Sequence, residues 1–201
     1  MKVSLVRRKG FTLIELIVAI AIIAILAAII APNAFKAVEK AKISSAVSDI
    51  RAIRTAAMSF YSDTGTLPCT KAGGWGLDPG FVRPVTAANC WATEGGCAAG
   101  CTDLGNWDGP YLEKWPPSGP WHVGGGGMYN WNRWANYSPP GTGTNCSMAG
   151  IVTLEDYGAI PVSSVQKVDS ILDDGNLSNG YVFVAGSVNN PDYLQFVVTC
   201  Q

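Results

Sequence analysis

The chain has 201 residues, only 14% of them charged, and a formal net charge of −1. That length suits one ordinary domain plus an extra element. The near-neutral balance excludes a generally basic nucleic-acid binder, though not a local basic patch. Apolar residues concentrate between Phe11 and Ala31, a stretch with no Gly or Pro and a single charge, Glu15.

The first residues are basic: Lys2, Arg7, Arg8 and Lys9 all precede the apolar run. By the positive-inside rule they hold the N-terminus in the cytoplasm, and everything after Ala31 is exported. As a helix the run from Phe11 to Ala31 spans about 30 Å, the thickness of a bilayer core. An ordinary secretory signal loses its apolar region on cleavage. Here a cut after Gly10 removes only the charged leader and leaves the apolar helix as a retained anchor that begins at Phe11. Glu15 is the exception within that helix, because a carboxylate inside a spanning segment costs about 2.5–3.5 kcal/mol on insertion scales. It either stays hydrated at the interface or pairs with the new α-amino group at Phe11, on the same chain or on a neighbour.

The residues Lys9-Gly10-Phe11-Thr12-Leu13-Ile14-Glu15-Leu16 resemble the prepilin signature of type IV pilins and type II secretion pseudopilins. The resemblance covers about the first 30 residues closely. It implies cleavage after Gly10 by a prepilin peptidase and methylation of the Phe11 amine. It places Glu15 on the glutamate that neutralises the N-terminal amine of an adjacent subunit during assembly. It places Pro32 on the helix-perturbing proline.

Pro32 lacks a backbone donor and crowds the preceding turn, so a kink or local melting is expected there. A helical pattern resumes after it. Phe35, Val38, Ala41 and Lys42 lead into Ala46, Val47, Ile50, Ile53, Ala57 and Phe60, apolar steps of three and four that make one face. Lys36, Glu39, Lys40, Asp49, Arg51 and Arg54 occupy much of the remainder. Helix is expected to Ser62, stopped by Asp63-Thr64-Gly65 and Pro68. Such a helix is roughly 50 residues and about 75 Å long. Its C-terminal half should bury its stripe on a sheet, whereas its first half, apolar all round, needs lipid or neighbouring helices.

Beyond the helix the composition turns to Gly, Pro, Asn and Trp. The exit Tyr61-Ser62-Asp63-Thr64-Gly65-Thr66-Leu67-Pro68 resembles that of major pseudopilins and related pilins. Gly109-Pro110-Tyr111-Leu112-Glu113-Lys114 with Pro120-Trp121 resembles a pseudopilin element that ends one loop and begins the sheet. Ser118-Gly119 departs from the family's acidic residue, and the insertion from Thr70 to Trp107 is long and Cys-rich. Strands are predicted at Met128–Trp134, Gly150–Leu154, Tyr181–Val188 and Leu194–Thr199, with Asn189-Asn190-Pro191-Asp192 turning between the last two. Ile160–Leu172 carries Val162, Val165, Val168 and Leu172 on one helical face.

Six cysteines, Cys69, Cys90, Cys97, Cys101, Cys146 and Cys200, all lie beyond the apolar run, on the side where disulfides persist. Six allow 15 pairings, and sequence does not choose among them. No Cys-x-x-Cys spacing supports zinc, and the single His122 has no cysteine near it in sequence. Asp173-Asp174-Gly175-Asn176 is the metal candidate, since clustered carboxylates beside a turn-forming Gly suit calcium. It lacks EF-hand spacing, and a plain Asp-Asp-Gly turn accounts for the same residues. Pseudopilin heads, by the resemblance, can bind calcium in a C-terminal loop, without a clear residue correspondence here.

Enzyme motifs are missing. The run Gly124–Gly127 has no following Lys-Ser or Lys-Thr, and there is no Gly-x-Ser-x-Gly or Cys-x-x-Cys-His. Seven Trp residues suit core and subunit packing or, alternatively, an exposed adhesive surface that includes Trp107, Trp115, Trp121, Trp131 and Trp134. The expected fold class is α+β, a long N-terminal helix packed on a C-terminal antiparallel sheet, as in pilins. The expected organisation is a cleaved leader (1–10), a transmembrane and filament-core helix (11–31), its amphipathic continuation (32–62) and a disulfide-bridged head (63–201). The resemblance implies a homo-oligomer with related pilins or pseudopilins in a helical filament. It also implies a prepilin peptidase/methyltransferase and an inner-membrane assembly platform as partners, with the head periplasmic or extracellular. The functional expectation is a structural filament subunit, leaning to a secretion pseudopilin on the Gly-Pro-Tyr-Leu element. A true type IV pilin for adhesion, motility or DNA uptake and a membrane-tethered tip adhesin are the alternatives.

Overall fold

The computed structural model describes residues 10–69, 78–84, 106–116, 118–121, 127–155, 160–187 and 190–201. Among them the elements are α1 (Leu13–Thr64), β1 (Tyr129–Tyr137), β2 (Cys146–Glu155), α2 (Val162–Leu172), β3 (Val182–Ser187) and β4 (Asn190–Cys200). The chain divides into two compact units, one ending at Ala41 and the other running Lys42–Gln201.

The 52 residues of α1 contain no glycine and one proline. Its start is fixed by Thr12 and its end by Gly65, whose positive φ of 71° carries the chain out of the helix while its amide bonds the Tyr61 carbonyl at 2.8 Å. The helix thus runs two residues past the expected Ser62, with the Thr64 hydroxyl donating back to the Phe60 carbonyl at 2.7 Å. The expected melting at Pro32 is not seen: helix is continuous through it. One proline removes a single backbone bond, and the flanking turns of strong helix formers persist around the gap. In the first unit the apolar side chains from Phe11 to Ile30 are exposed on every side. An 18-residue window reaches a mean hydropathy of 3.2, and α1 is long and apolar enough to cross a membrane.

In the second unit, α1 buries Ile43, Ala46, Val47, Ile50, Ile53, Ala56, Ala57 and Phe60. The expected face therefore holds from Ala46 onward, whereas Phe35 and Val38, counted in the same stripe, are exposed. Asp49, expected on the solvent side, is half-buried and accepts a hydrogen bond from the Tyr129 hydroxyl at 3.2 Å.

The four strands form one antiparallel sheet in the order β1-β2-β4-β3. Alternation assigns its faces. Trp131, Val152, Leu154, Val184, Phe196 and Val198 join the α1 residues in the main core. Ala149, Ile151, Phe183 and Val197 point the other way, into a smaller apolar cluster with Cys146. Every predicted strand is present, most of them longer than expected. Pairing between β3 and β4 continues to Ser187↔Asn190, so Asn190, Pro191 and Asp192 belong to β4 and not to a turn. A proline is tolerated there because it sits at the strand's start. Among the described residues, neither Gly109–Lys114 nor Pro120-Trp121 lies in a strand, and β1 starts at Tyr129. Gly109–Lys114 docks on the Phe81 segment instead, with the Tyr111 and Leu112 amides bonding the Phe81 carbonyl at 2.7 and 3.1 Å. Asp78 holds that segment in place by accepting from the amides of Gly80, Phe81, Val82 and Arg83.

Candidate functional site

The N-terminal site is built on a capping box. Thr12 precedes the first helical residue. Its hydroxyl accepts from the Glu15 amide at 3.3 Å, and the Glu15 carboxylate accepts from the Thr12 amide at 2.9 Å and the Thr12 hydroxyl at 2.7 Å. The reciprocal bonds satisfy orphan donors at the helix start. The sequence reading gave Glu15 a charge cost and an amine partner and passed over this cap, although Thr-x-x-Glu before an apolar run is itself the signal for it. Both bonds to the carboxylate end on Oε2. Gly10 is exposed, and a Cβ added there would meet nothing within 4 Å. The chain's own packing therefore does not require glycine at this position. Phe11 is exposed and Pro32 lies inside α1.

In the head, Cys146 and Cys200 form a disulfide, with a sequence separation of 54. It ties the start of β2 to the end of its neighbour β4. Cys69 is disulfide-bonded too. Cys90, Cys97, Cys101, His122 and most of the Gly124–Gly127 run lie outside the described residues.

The aromatic residues sort by depth. Trp115, Trp121 and Trp131 are buried, and the Trp131 indole donates to the Pro68 carbonyl at 2.8 Å. Trp107 is half-buried and donates to the Gly80 carbonyl at 2.8 Å. Phe81 packs edge-on to Phe60 and Trp131, with ring centroids 5.9 and 5.1 Å apart. Of the five Trp considered for an adhesive surface, only Trp134 is exposed, beside Tyr137. Packing, not adhesion, accounts for most of them.

The Asp173-Asp174 pair sits where α2 ends. Asp173 follows the last helical residue, and its Oδ2 accepts from the amides of Tyr181 and Val182, which ties the helix end to the start of β3. Asp174 Oδ1 accepts from the Asn176 amide at 2.8 Å. A third carboxylate, Asp169, joins them one turn earlier, and oxygens from all three lie within 4.8 Å of one another. Its place on α2 was legible from the i, i+4 spacing to Asp173. Asp169 is 0% exposed. Burial pushes its carboxyl up to about 6. The Gly175 amide opposes this as a backbone donor, and the Asp174 and Asp173 charges push further in the same direction as burial.

Two family models match the sequence. The prokaryotic N-terminal methylation motif covers residues 5–31, and the PilW C-terminal model covers residues 37–136. The chain belongs to the type IV pilin and type II secretion pseudopilin family. It is 49% identical over 57 residues to the type IV major pilin protein PilA of Myxococcus xanthus, across 28% of this chain and 26% of that protein. It is 40% identical over 81 residues to the type II secretion system core protein G of Aeromonas hydrophila, across 40% of this chain and 54% of that protein. The Escherichia coli core protein G is 39% identical over 83 residues, across 41% of this chain and 57% of that protein. The chain thus spans about a quarter of the matched pilin and little more than half of each matched secretion protein. A solved structure, the major type IV pilin PilA1 from Clostridium difficile, aligns at a TM-score of 0.46 and 18% identity, over 81% of this chain and 97% of that one.

Proposed function

We propose that this chain is the precursor of a membrane-anchored filament subunit that polymerises through its N-terminal helix, of the secretion-pseudopilin kind. One observation carries the reading: an apolar half-helix exposed on every side, joined to a head with its own core. Such a surface needs lipid before assembly and neighbouring helices afterwards. The matches to secretion core protein G extend over 81 and 83 residues, beyond the 57 shared with the M. xanthus pilin, which favours the pseudopilin.

In this reading residues 1–10 are a leader cut after Gly10, residues 11–31 form the anchor and filament core, residues 32–62 continue the helix, and residues 63–201 form the head. A peptidase that needs a small residue at its cut site explains a glycine that the fold does not require. Cleavage gives Phe11 a free amine, which is then methylated. Glu15 offers its carboxylate to the amine of an adjacent subunit, and Pro32 marks where the helix yields on assembly. The Lys and Arg of the leader keep the N-terminus cytoplasmic, with the head periplasmic or extracellular. Partners are further copies, related subunits, the peptidase/methyltransferase and an inner-membrane assembly platform. The role is structural and not enzymatic.

A type IV pilin is the second reading, favoured by the higher identity to the M. xanthus pilin over its shorter match. Peptide mass spectrometry on filaments sheared from native cells separates the two. A methylated Phe11 terminus confined to the inner-membrane fraction supports the pseudopilin. The same peptide abundant in the sheared fraction supports a surface pilus. An intact leader in every fraction refutes both.

A further inference from the structure

Just past its apolar run, α1 carries a face that the chain itself leaves uncovered. Lys36 and Lys40 are exposed and one turn apart, so they share one side of the helix. Phe35 and Val38 share another side and are 74% and 56% exposed. All four belong to the first compact unit, which ends at Ala41, whereas Lys42 belongs to the second and is half-buried. Lysines beside a membrane span ordinarily stay on the cytoplasmic side. With the head exported, Lys36 and Lys40 stand on the opposite flank, about 8 and 14 Å past Ala31 along the helix. The headgroup layer on each side of a bilayer core is about 5–8 Å deep, so Lys36 lies at its outer edge. Lys40 lies one turn farther out. Side chains on a helix lean toward its N-terminus, however, and on this flank that direction is toward the lipid. The apolar lysine stems run back along the helix and bring both ammonium groups to headgroup level.

We propose that Phe35, Lys36, Val38 and Lys40 form an interfacial docking surface for the anionic phospholipid headgroups of the exported leaflet. The inference rests on α1 being a membrane anchor with an exported head. Two ammonium groups one turn apart select phosphate, and Phe35 with Val38 supplies the apolar body that such surfaces press into the acyl boundary. Large apolar side chains exposed beside charges mark an interaction surface and not a solvated face. Continuity with the span decides for lipid over a soluble anion. The face follows directly on a run whose mean hydropathy reaches 3.2, so headgroups are already its neighbours. Residues 32–41 carry these two lysines against one carboxylate, Glu39, a balance that favours an anionic surface. A cut after Gly10 would leave no Lys or Arg on the cytoplasmic flank. Lys36 and Lys40 would then hold the helix at its depth in the bilayer until neighbouring helices replace the lipid.

The test takes as parent the full chain with Lys2, Arg7, Arg8 and Lys9 replaced by Gln, since a basic leader attracts anionic lipid by itself. The detergent-solubilised parent is equilibrated with equal amounts of phosphatidylglycerol and phosphatidylcholine, and the retained lipids are counted by native mass spectrometry. Each lysine near an anionic surface contributes about fivefold, so phosphatidylglycerol should be retained in at least about tenfold excess. Lys36→Gln/Lys40→Gln should bring the two lipids to within about twofold of each other, while Lys36→Arg/Lys40→Arg should keep the excess. Both pairs of substitutions suit an exposed helix, so circular dichroism should match the parent. Arg51→Gln/Arg54→Gln, at exposed positions in the second unit, should leave the excess unchanged. Excess inorganic phosphate at matched ionic strength should not displace the lipid, and displacement would make this a free-anion site and overturn the proposal. Carbonate-resistant insertion into phosphatidylcholine vesicles should be the same for the parent and every variant. Insertion without a preference for phosphatidylglycerol overturns the proposal and leaves the anchor standing, whereas failure to insert overturns both. A lipid ratio unmoved by the Gln pair, with filament yield lost instead, assigns the face to a second copy and overturns the proposal too.

Discussion

Removing the Cys146–Cys200 disulfide tests how much the head depends on being closed. The bond spans 54 residues and encloses α2, β3, most of β2 and nearly all of β4, with no other cysteine inside the loop. The entropy of closing a loop of that length corresponds to about 4 kcal/mol at 25 °C. Cys146 is wholly buried in the second apolar cluster, so truncation to Ala adds a smaller packing loss. The double variant Cys146→Ala/Cys200→Ala should therefore lose about 4–5 kcal/mol, provided the Cys69 disulfide stays oxidised. At a urea m-value of about 2 kcal/mol/M, that is a fall of about 2 M in the unfolding midpoint. The assay is urea unfolding of the full chain in micelles, followed by far-ultraviolet circular dichroism. A midpoint within about 0.5 M of the parent, with an unchanged m-value, would refute the loop-closure account.

Gly150→Ala places a Cβ 2.5 Å from the Trp131 ring and 2.9 Å from Thr199 Oγ1, so a loss of about 1–3 kcal/mol and a shifted Trp emission are expected; parental fluorescence and midpoint would contradict that packing. Asp49 is raised by burial, with the Tyr129 hydrogen bond and the Lys114 charge opposing. Its stabilising contribution is complete below the unfolded carboxyl pKa and is lost as pH rises through the higher folded value. Asp49→Asn should gain on the parent in Tm between pH 4 and pH 7, and a pH-independent difference would count against the assignment. Gly10→Ala should slow leader removal without changing the melting curve, read as the ratio of precursor to processed chain on a gel. Glu15→Ala should reduce filament yield sharply with membrane insertion intact, whereas Glu15→Gln separates capping from charge.

The long-range plan was legible because it rests on periodicity and punctuation. Gly65 and Pro68 follow the end of α1 two residues beyond the expected Ser62, and the β-branched runs became strands because a pleated, half-buried surface suits them. Contacts between distant segments were not legible. Asp49 reads as a surface charge on its own helix, and only the arrival of Tyr129, 80 residues later, makes it a buried acceptor. The register of β3 on β4 drew Asn190 and Pro191 into the strand despite their turn propensity, since paired backbone outweighs a local preference. Asp169 was legible as inward-facing, since it stands four residues after Val165 and three before Leu172 on the apolar face of α2, but a carboxylate in that stripe reads locally as a break in the pattern.

Glu15 joins the two scales. In the single chain its carboxylate already closes the capping box with Thr12, so the residue serves local folding before any neighbour arrives. Removing the leader by the proposed cut after Gly10 would change the electrostatics of that cap. A protonated amine would then stand at Phe11, one residue before the cap and against the positive end of the α1 dipole, where like charges are unfavourable. Glu15 relieves that repulsion only while it is ionised, and with both cap bonds on Oε2 it keeps Oε1 for a second cation. Gln at this position keeps an acceptor for the cap but loses the charge, whereas Ala loses both. If neutralising an amine is what assembly requires, Gln and Ala should reduce filament yield equally. If the cap alone matters, Gln should restore it. Equal yields of all three would leave the glutamate without a role in assembly.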